Sequence, residues 1–317
     1  MKLFVSTHPF GSTSTVPMRL IQENQLELSV NKYGRKITTQ ELAQDINDAE
    51  VLIAGTEKIT EDVLKNAPNL KLIARVGIGL DGIDFNLCKK YGVRVSYTPD
   101  APTIAVAELC VGLILDLARK ISYTDKAIKN GIWNRHMGEL LYGKTVGIFG
   151  MGRIGKSLIH LLTPFNVKFK VCEVQPDLTF GQLYKISFVS KEEILNKSDI
   201  ISVNVPLKGD TQNYITINEL KMMQPHTILI NTARGGIVNE ADLYTALSQN
   251  IIAGAAVDVF EEEPYQGDLI KLNNVVLTCH MGASTIQSRT NMEVQALEEA
   301  VRYKNNQALK NEVFCNV

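Results

Sequence analysis

Apolar residues along this chain follow two rhythms. Short runs rich in Val, Ile and Phe alternate with longer stretches whose apolar positions recur at helical spacing. The first rhythm suits strands buried on both faces, and the second suits helices with one apolar stripe. In the first third, residues 2–6, 50–55, 71–77 and 93–98 read as strands. Residues 38–47 read as a helix opened by the capping pattern Thr38-x-x-Glu41. Pro99 and Pro102 then interrupt the chain, and a long apolar helix is expected over 103–119. A second series starts at 144–150 and continues with strands near 168–173, 200–205, 227–233, 252–260 and 275–280. Ser190-x-x-Glu193 and Thr216-x-x-Glu219 open helices between them, and a final helix is expected over 284–304. Alternating strands and helices predict α/β layers around parallel sheets. The proline break followed by a fresh start at 144 favours two domains over one large sheet.

Composition narrows the possibilities. A chain of 317 residues holds one large or two medium domains. A net charge of -1, from 33 basic and 34 acidic residues, leaves no basic field for nucleic acid or anionic lipid. The five cysteines (Cys88, Cys110, Cys172, Cys279 and Cys315) contain no C-x-x-C, so neither a zinc site nor a disulfide frame is expected. No apolar run is long enough to span a membrane, and the N-terminus lacks the core of a secretory signal. A cytoplasmic protein without a metal is the resulting expectation.

The pattern G-x-G-x-x-G occurs twice, at Gly77, Gly79, Gly82 and at Gly150, Gly152, Gly155. Each copy follows a predicted strand and precedes an acid at similar spacing, Asp100 or Glu173. Electrostatics separates them. A pyrophosphate needs bare backbone N–H groups and the positive end of a helix dipole. Asp81 and Asp84 would repel phosphate at the first copy, whereas Arg153 opens a clean helical run at the second. The second copy is therefore the dinucleotide fingerprint. Glu173 ends the next strand, where it suits ribose hydroxyls, and no Lys or Arg follows in 174–177 to neutralise a 2′-phosphate. NAD is expected over NADP.

Three polar residues follow strands of the second series: Arg234, Glu263 and His280. Carboxyl ends of parallel strands share one edge, and that edge carries the ligand crevice. An arginine fork suits a carboxylate, and a histidine supplies a proton near neutral pH. A carboxylate beside the histidine would fix its tautomer. Singly, each of these residues is more often structural; jointly, beside a dinucleotide fingerprint, they imply hydride transfer at C2 of a 2-hydroxy or 2-oxo acid.

The segments VGIFGMGRIGK (146–156), ILINTARGGIVNEADL (228–243), AGAAVDVFEEEP (253–264) and LTCHMGAST (277–285) resemble the D-isomer-specific 2-hydroxyacid dehydrogenases. The resemblance extends over nearly the whole chain and is strongest to the D-3-phosphoglycerate dehydrogenase branch. It implies an α/β fold with two lobes, a Rossmann-type NAD domain (99–286) inserted in a flavodoxin-like substrate domain (1–98 and 287–317). It implies Arg234 as the substrate-binding arginine, Glu263 as partner acid and His280 as acid/base. Besides the three glycines, it implies cofactor contacts from Arg153, Ile154, Glu173, Val205, Pro206, Thr232, Ala233, Asp258 and Gly282, with Asp258 near the nicotinamide amide. The segment Arg75-Val76-Gly77-Ile78-Gly79 is implied to offer backbone N–H groups to the substrate carboxylate. A homodimer through the NAD domain, with helix 103–119 contributing, is also implied.

The resemblance makes 3-phosphoglycerate/3-phosphohydroxypyruvate the first expectation for the substrate. A hydroxypyruvate/glyoxylate-type reductase and a non-enzymatic NAD-sensing, corepressor-like protein are the alternatives; Glu263 in place of glutamine disfavours a formate-type enzyme. The sequence departs from the phosphoglycerate pattern at Ile78, where threonine is common, and at Ala54, where some members carry a phosphate-binding arginine. Glu173 stands for the commoner aspartate, and Ile286-Gln287-Ser288 for Lys/Pro-Glu-Ala. Arg135, His136 and Lys58 remain as candidates for a phosphate, and no regulatory domain is expected after the dehydrogenase unit.

Overall fold

The computed structural model describes residues 1–313. The chain folds into two compact units, Met1–Pro102 with Ser284–Val317, and Thr103–Ala283. The chain crosses between them at 102/103 and 283/284 rather than at 98/99 and 286/287. Thr98 N–H donates to Gly77 O and Tyr97 N–H to Asn311 O, so the segment leading to Pro99 is held by the first unit. At the second crossing, Thr285 caps the helix Ile286–Lys304, which packs on the first unit's sheet.

The first unit holds five parallel strands, β1 (Lys2–Val5), β2 (Glu27–Val30), β3 (Val51–Ala54), β4 (Leu72–Arg75) and β5 (Arg94–Ser96), in the order β2-β1-β3-β4-β5. This is the flavodoxin-like arrangement. Phe4, Leu52, Ile73 and Val95 face one core with the helix Thr39–Asp45, whose Thr38/Glu41 capping box is complete. The final helix covers β3 and β4 and meets the helix Val16–Glu23. That helix and β2 carry no clear signal in the sequence. β2 is an edge strand, largely exposed, and its apolar face consists of only Leu28 and Val30.

The second unit holds β6 (Thr145–Phe149), β7 (Lys168–Cys172), β8 (Ser187–Phe188), β9 (Ile200–Val203), β10 (Ile228–Asn231), β11 (Gly254–Val257) and β12 (Val275–Leu277). All pairings are parallel, and the order β12-β11-β10-β9-β6-β7-β8 reverses between β6 and β9, the Rossmann switch point. Neighbouring residues such as Leu229 and Ile230, or Ala255 and Ala256, belong to different apolar clusters, so both faces of the sheet are covered. The helix Thr103–Arg119 buries Ala107, Cys110, Leu113 and Ile114 in one cluster and packs on the helix Arg153–Leu162.

Most strands end one to three residues before the expected point. β11 shows why. Asp258 turns out of the ladder and uses its carboxylate to hold the next loop, so 258–260 read as strand in sequence but act as a scaffold. Ser190 caps its helix, yet Glu193 does not return the bond because its carboxylate is taken by Lys170.

Candidate active site

The glycines of 150–155 divide their labour by geometry. Gly150 has φ +88, and a Cβ there would lie 2.9 Å from Asn204 O. Gly155 lets the helix Arg153–Leu162 sit on β6, since its Cβ would lie 2.4 Å from Gly150 O. At Gly152, the helix N-cap, a Cβ would meet nothing within 4 Å, so that side opens outward. No side chain caps this helix, and its first N–H groups and dipole suit a pyrophosphate. Arg153 and Ile154 lie in its first turn, and the neighbouring β9 ends just before Val205 and Pro206.

Glu173, one residue past β7, accepts from Met151 N–H at 2.6 Å and Gln175 N–H at 3.2 Å. Its carboxylate therefore faces the glycine turn. Lys156, on the same helix, is paired with Asp177 at 2.6 Å. These residues fit NAD without a 2′-phosphate.

The catalytic candidates lie on three adjacent strands. Asn231, Val257 and Leu277 are in register across β10, β11 and β12. Arg234 and His280 each stand three residues beyond that line, on one edge of one sheet. Glu263 closes the loop after β11, and His280 Nδ1 lies 2.9 Å from both of its oxygens. The Phe260 N–H donates to Glu263 Oε1 at 3.2 Å, which steadies the loop. A carboxylate at Nδ1 makes that nitrogen the donor and leaves Nε2, which has no partner among the described residues, for a ligand.

His280 has φ +52, an uncommon backbone for a residue with a side chain. Asp258, 1% exposed, holds it there. Its Oδ1 accepts from Thr278 Oγ1 and Met281 N–H, its Oδ2 from Gly282 N–H, and its carbonyl from His280 N–H. Both oxygens of the carboxylate expected beside the nicotinamide amide are thus engaged in shaping the histidine turn. Thr232 is buried against Cys110 with Oγ1 3.0 Å from Sγ, and burial pushes that thiol up to about 11.

Arg234 is oriented locally: Nη1 donates to Ala233 O at 2.6 Å, and the Asn231 side chain bonds both Arg234 O and Ala233 N–H. Gly235 locks this loop to the next one. A Cβ there would fall 2.0 Å from Phe260 C and 2.4 Å from Glu261 N. Glu240 reaches the same peptide, accepting from Glu261 N–H at 2.7 Å. Burial raises its carboxyl pKa, and the carboxylates of Glu261, Glu262 and Glu263 add to the shift. Asn231, Gly235 and Glu240 escaped the sequence reading; the Gly-Gly pair after Arg234 was the available signal.

Residues 111–282 match the family profile described as D-isomer specific 2-hydroxyacid dehydrogenase, NAD binding domain. The chain belongs to this family. It is an NAD-dependent D-2-hydroxyacid dehydrogenase with two α/β units. The dehydrogenase is 35% identical over 297 residues to a glyoxylate reductase of Pyrococcus furiosus, covering 89% of this chain and 87% of the relative. It is 38% identical over 259 residues to a D-3-phosphoglycerate dehydrogenase of Methanocaldococcus jannaschii, covering 80% of this chain but 49% of that protein. Among solved structures, the TT0316 protein of Thermus thermophilus superposes with a TM-score of 0.91 at 29% identity, covering 99% of this chain and all of the other.

The remaining sequence candidates lie in the first unit. Val76 N–H donates to Ala54 O, and Gly77 N–H to Arg75 O and Thr98 Oγ1, so both donors are already used. The Arg75 guanidinium bonds Val76 O. The N–H groups of Ile78 and Gly79 have no partner among the described residues. Among those residues no helix is long and apolar enough to cross a membrane, and no group of three or more His, Cys, Asp or Glu is placed to hold a metal ion.

Proposed function

We propose that this dehydrogenase reduces a short 2-oxo acid of the glyoxylate or hydroxypyruvate kind to its D-2-hydroxy acid, with Arg234, Glu263 and His280 as the working residues. The observation that carries the reading is the single sheet edge shared by Arg234 and the His280–Glu263 pair, beside a fitted dinucleotide turn. When bound, the reduced cofactor NADH would supply the hydride for reduction, and its oxidised form NAD⁺ would accept it in oxidation. The Arg234 fork pairs with the substrate carboxylate. His280 Nε2 gives its proton to the C2 oxygen, and Glu263 stabilises the protonated imidazole and holds its orientation.

One observation favours a short acid: Ala54, 1% exposed, brings no cation to the end of β3. The phosphoglycerate reading draws support from Lys36, Arg75 and Arg289, which line a cavity in the first unit. Following NADH absorbance with glyoxylate, hydroxypyruvate, pyruvate and 3-phosphohydroxypyruvate tests both. The short acids should give the higher kcat/KM; a clear preference for the phosphorylated acid would reverse the assignment, and no turnover of any would remove it.

We also infer that two copies associate through the NAD-binding unit. Support comes from exposed apolar side chains concentrated after the helix Thr103–Arg119, with Trp133 and Met137 each 86% exposed. They adjoin a cavity of about 770 Å³ at the amino ends of β9 to β12, the edge opposite Arg234 and His280. Sedimentation should give twice the chain mass; a monomer at working concentration would contradict it.

A further inference from the structure

The loop that carries Glu263 is anchored at few points. Residues 261–264 are all exposed, so no packed side chain fixes them. Phe260 and Tyr265 bracket the loop, their rings stacked with centroids 4.2 Å apart. Within it, Phe260 N–H donates to Glu263 Oε1 at 3.2 Å. Among the described residues, the backbone N–H groups of 261–263 make one hydrogen bond, from Glu261 to Glu240 Oε1 at 2.7 Å. That bond ties the loop to the first residue of the helix Glu240–Ser248, which Asn239 caps by accepting from Asp242 N–H.

Glu240 is a costly residue at this place. Burial pushes its carboxyl up from the ordinary range, and the carboxylates of Glu261, Glu262 and Glu263 push it the same way. A carboxylate held against both desolvation and like charge is offset only by what it bonds. A charge-assisted bond to a backbone N–H is a strong one. Gly235 shows how closely the two segments meet, since a Cβ there would lie 2.4 Å from Glu261 N. The bare glycine lets the chain after Arg234 reach this peptide, and Glu240, further along the same chain, supplies the acceptor.

We propose that Glu240 is a positioning residue for proton transfer: by holding the Glu261 N–H, it fixes the turn that places Glu263 on His280 Nδ1. The inference rests on the acid/base reading above and extends it to a residue that acts only through Glu263. All of its parts lie in the second unit. The consequence is a pH signature. A carboxylate beside an imidazole favours the protonated ring, and reduction consumes that form. Reduction therefore falls as rising pH removes the proton, and a loosened Glu263 brings that fall to lower pH.

The pH dependence of kcat/KM for glyoxylate reduction tests this in wild type, Glu240→Ala, Glu240→Met and Glu240→Gln, each also in a Glu263→Gln background. NADH affinity by fluorescence reports folding. Glu240→Ala should move the alkaline fall to lower pH by about one unit, with about a 10-fold loss of kcat/KM on that limb. Glu240→Met, similar in length but without an oxygen, should do the same, which keeps the test decisive if the alanine variant fails to fold. Glu240→Gln retains an acceptor and should recover most of the shift. In the Glu263→Gln background none of the three should move the fall further. An unmoved fall in the alanine or methionine variant overturns the proposal. So does an equal shift in Glu240→Gln, or one that persists undiminished without Glu263. If Glu263→Gln alone leaves the fall in place, the acid/base reading itself is struck.

Discussion

Replacing His280 with alanine is expected to lower kcat by about 10²- to 10⁴-fold, the usual contribution of a positioned acid or base. The NADH dissociation constant should stay within roughly twofold, because the imidazole is assigned a proton and not the dinucleotide. The structure separates the two tasks: the glycine turn of 150–155 and Glu173 lie by β6 and β7, whereas His280 follows β12 and is oriented by Glu263. Steady-state rates with fluorescence titration of NADH check the prediction. Near-normal turnover would remove His280 from the chemistry, and loss of NADH binding would recast it as a structural element of the cofactor site.

Arg234→Ala should cost about 2–5 kcal/mol in transition-state binding, the penalty of leaving one partner of a desolvated charge pair alone. In kcat/KM this is roughly 30- to 5,000-fold. Arg234→Lys should recover only part of the loss, since an ammonium keeps the charge but not the planar fork. The Asn231 side chain, which bonds both Ala233 and Arg234 backbone groups, sets the loop that aims the fork. Kinetics with glyoxylate for both variants provide the measurement. Equal activity of alanine, lysine and wild-type enzymes would contradict a carboxylate-binding role.

Residues whose chemistry depends on type and strand position were legible in the sequence. Gly150, Gly152, Gly155, Glu173, Arg234 and His280 stand at carboxyl ends of strands that the apolar pattern already revealed. The two glycine motifs were separable because Asp81 and Asp84 oppose a phosphate and Arg153 does not. What stayed hidden depends on long-range placement. Nothing local announces that Asp258 holds the turn of His280, or that Gly235 needs its missing side chain because Phe260 lies against it. Glu240 and Glu261 are 21 residues apart in number (261 − 240), and only the folded second unit joins them. β2, exposed at the sheet's edge, has only Leu28 and Val30 on its apolar face, too short an alternation to stand out.

The chemistry depends on where a substrate sits relative to the three working residues. A crystal structure with NAD and a D-2-hydroxy acid bound tests this most directly. His280 Nε2 should lie about 3 Å from the C2 oxygen, with the Arg234 guanidinium on the carboxylate and Glu263 still on Nδ1. An acid bound with its C2 oxygen away from His280, or a dinucleotide seated off the 150–155 turn, would contradict it.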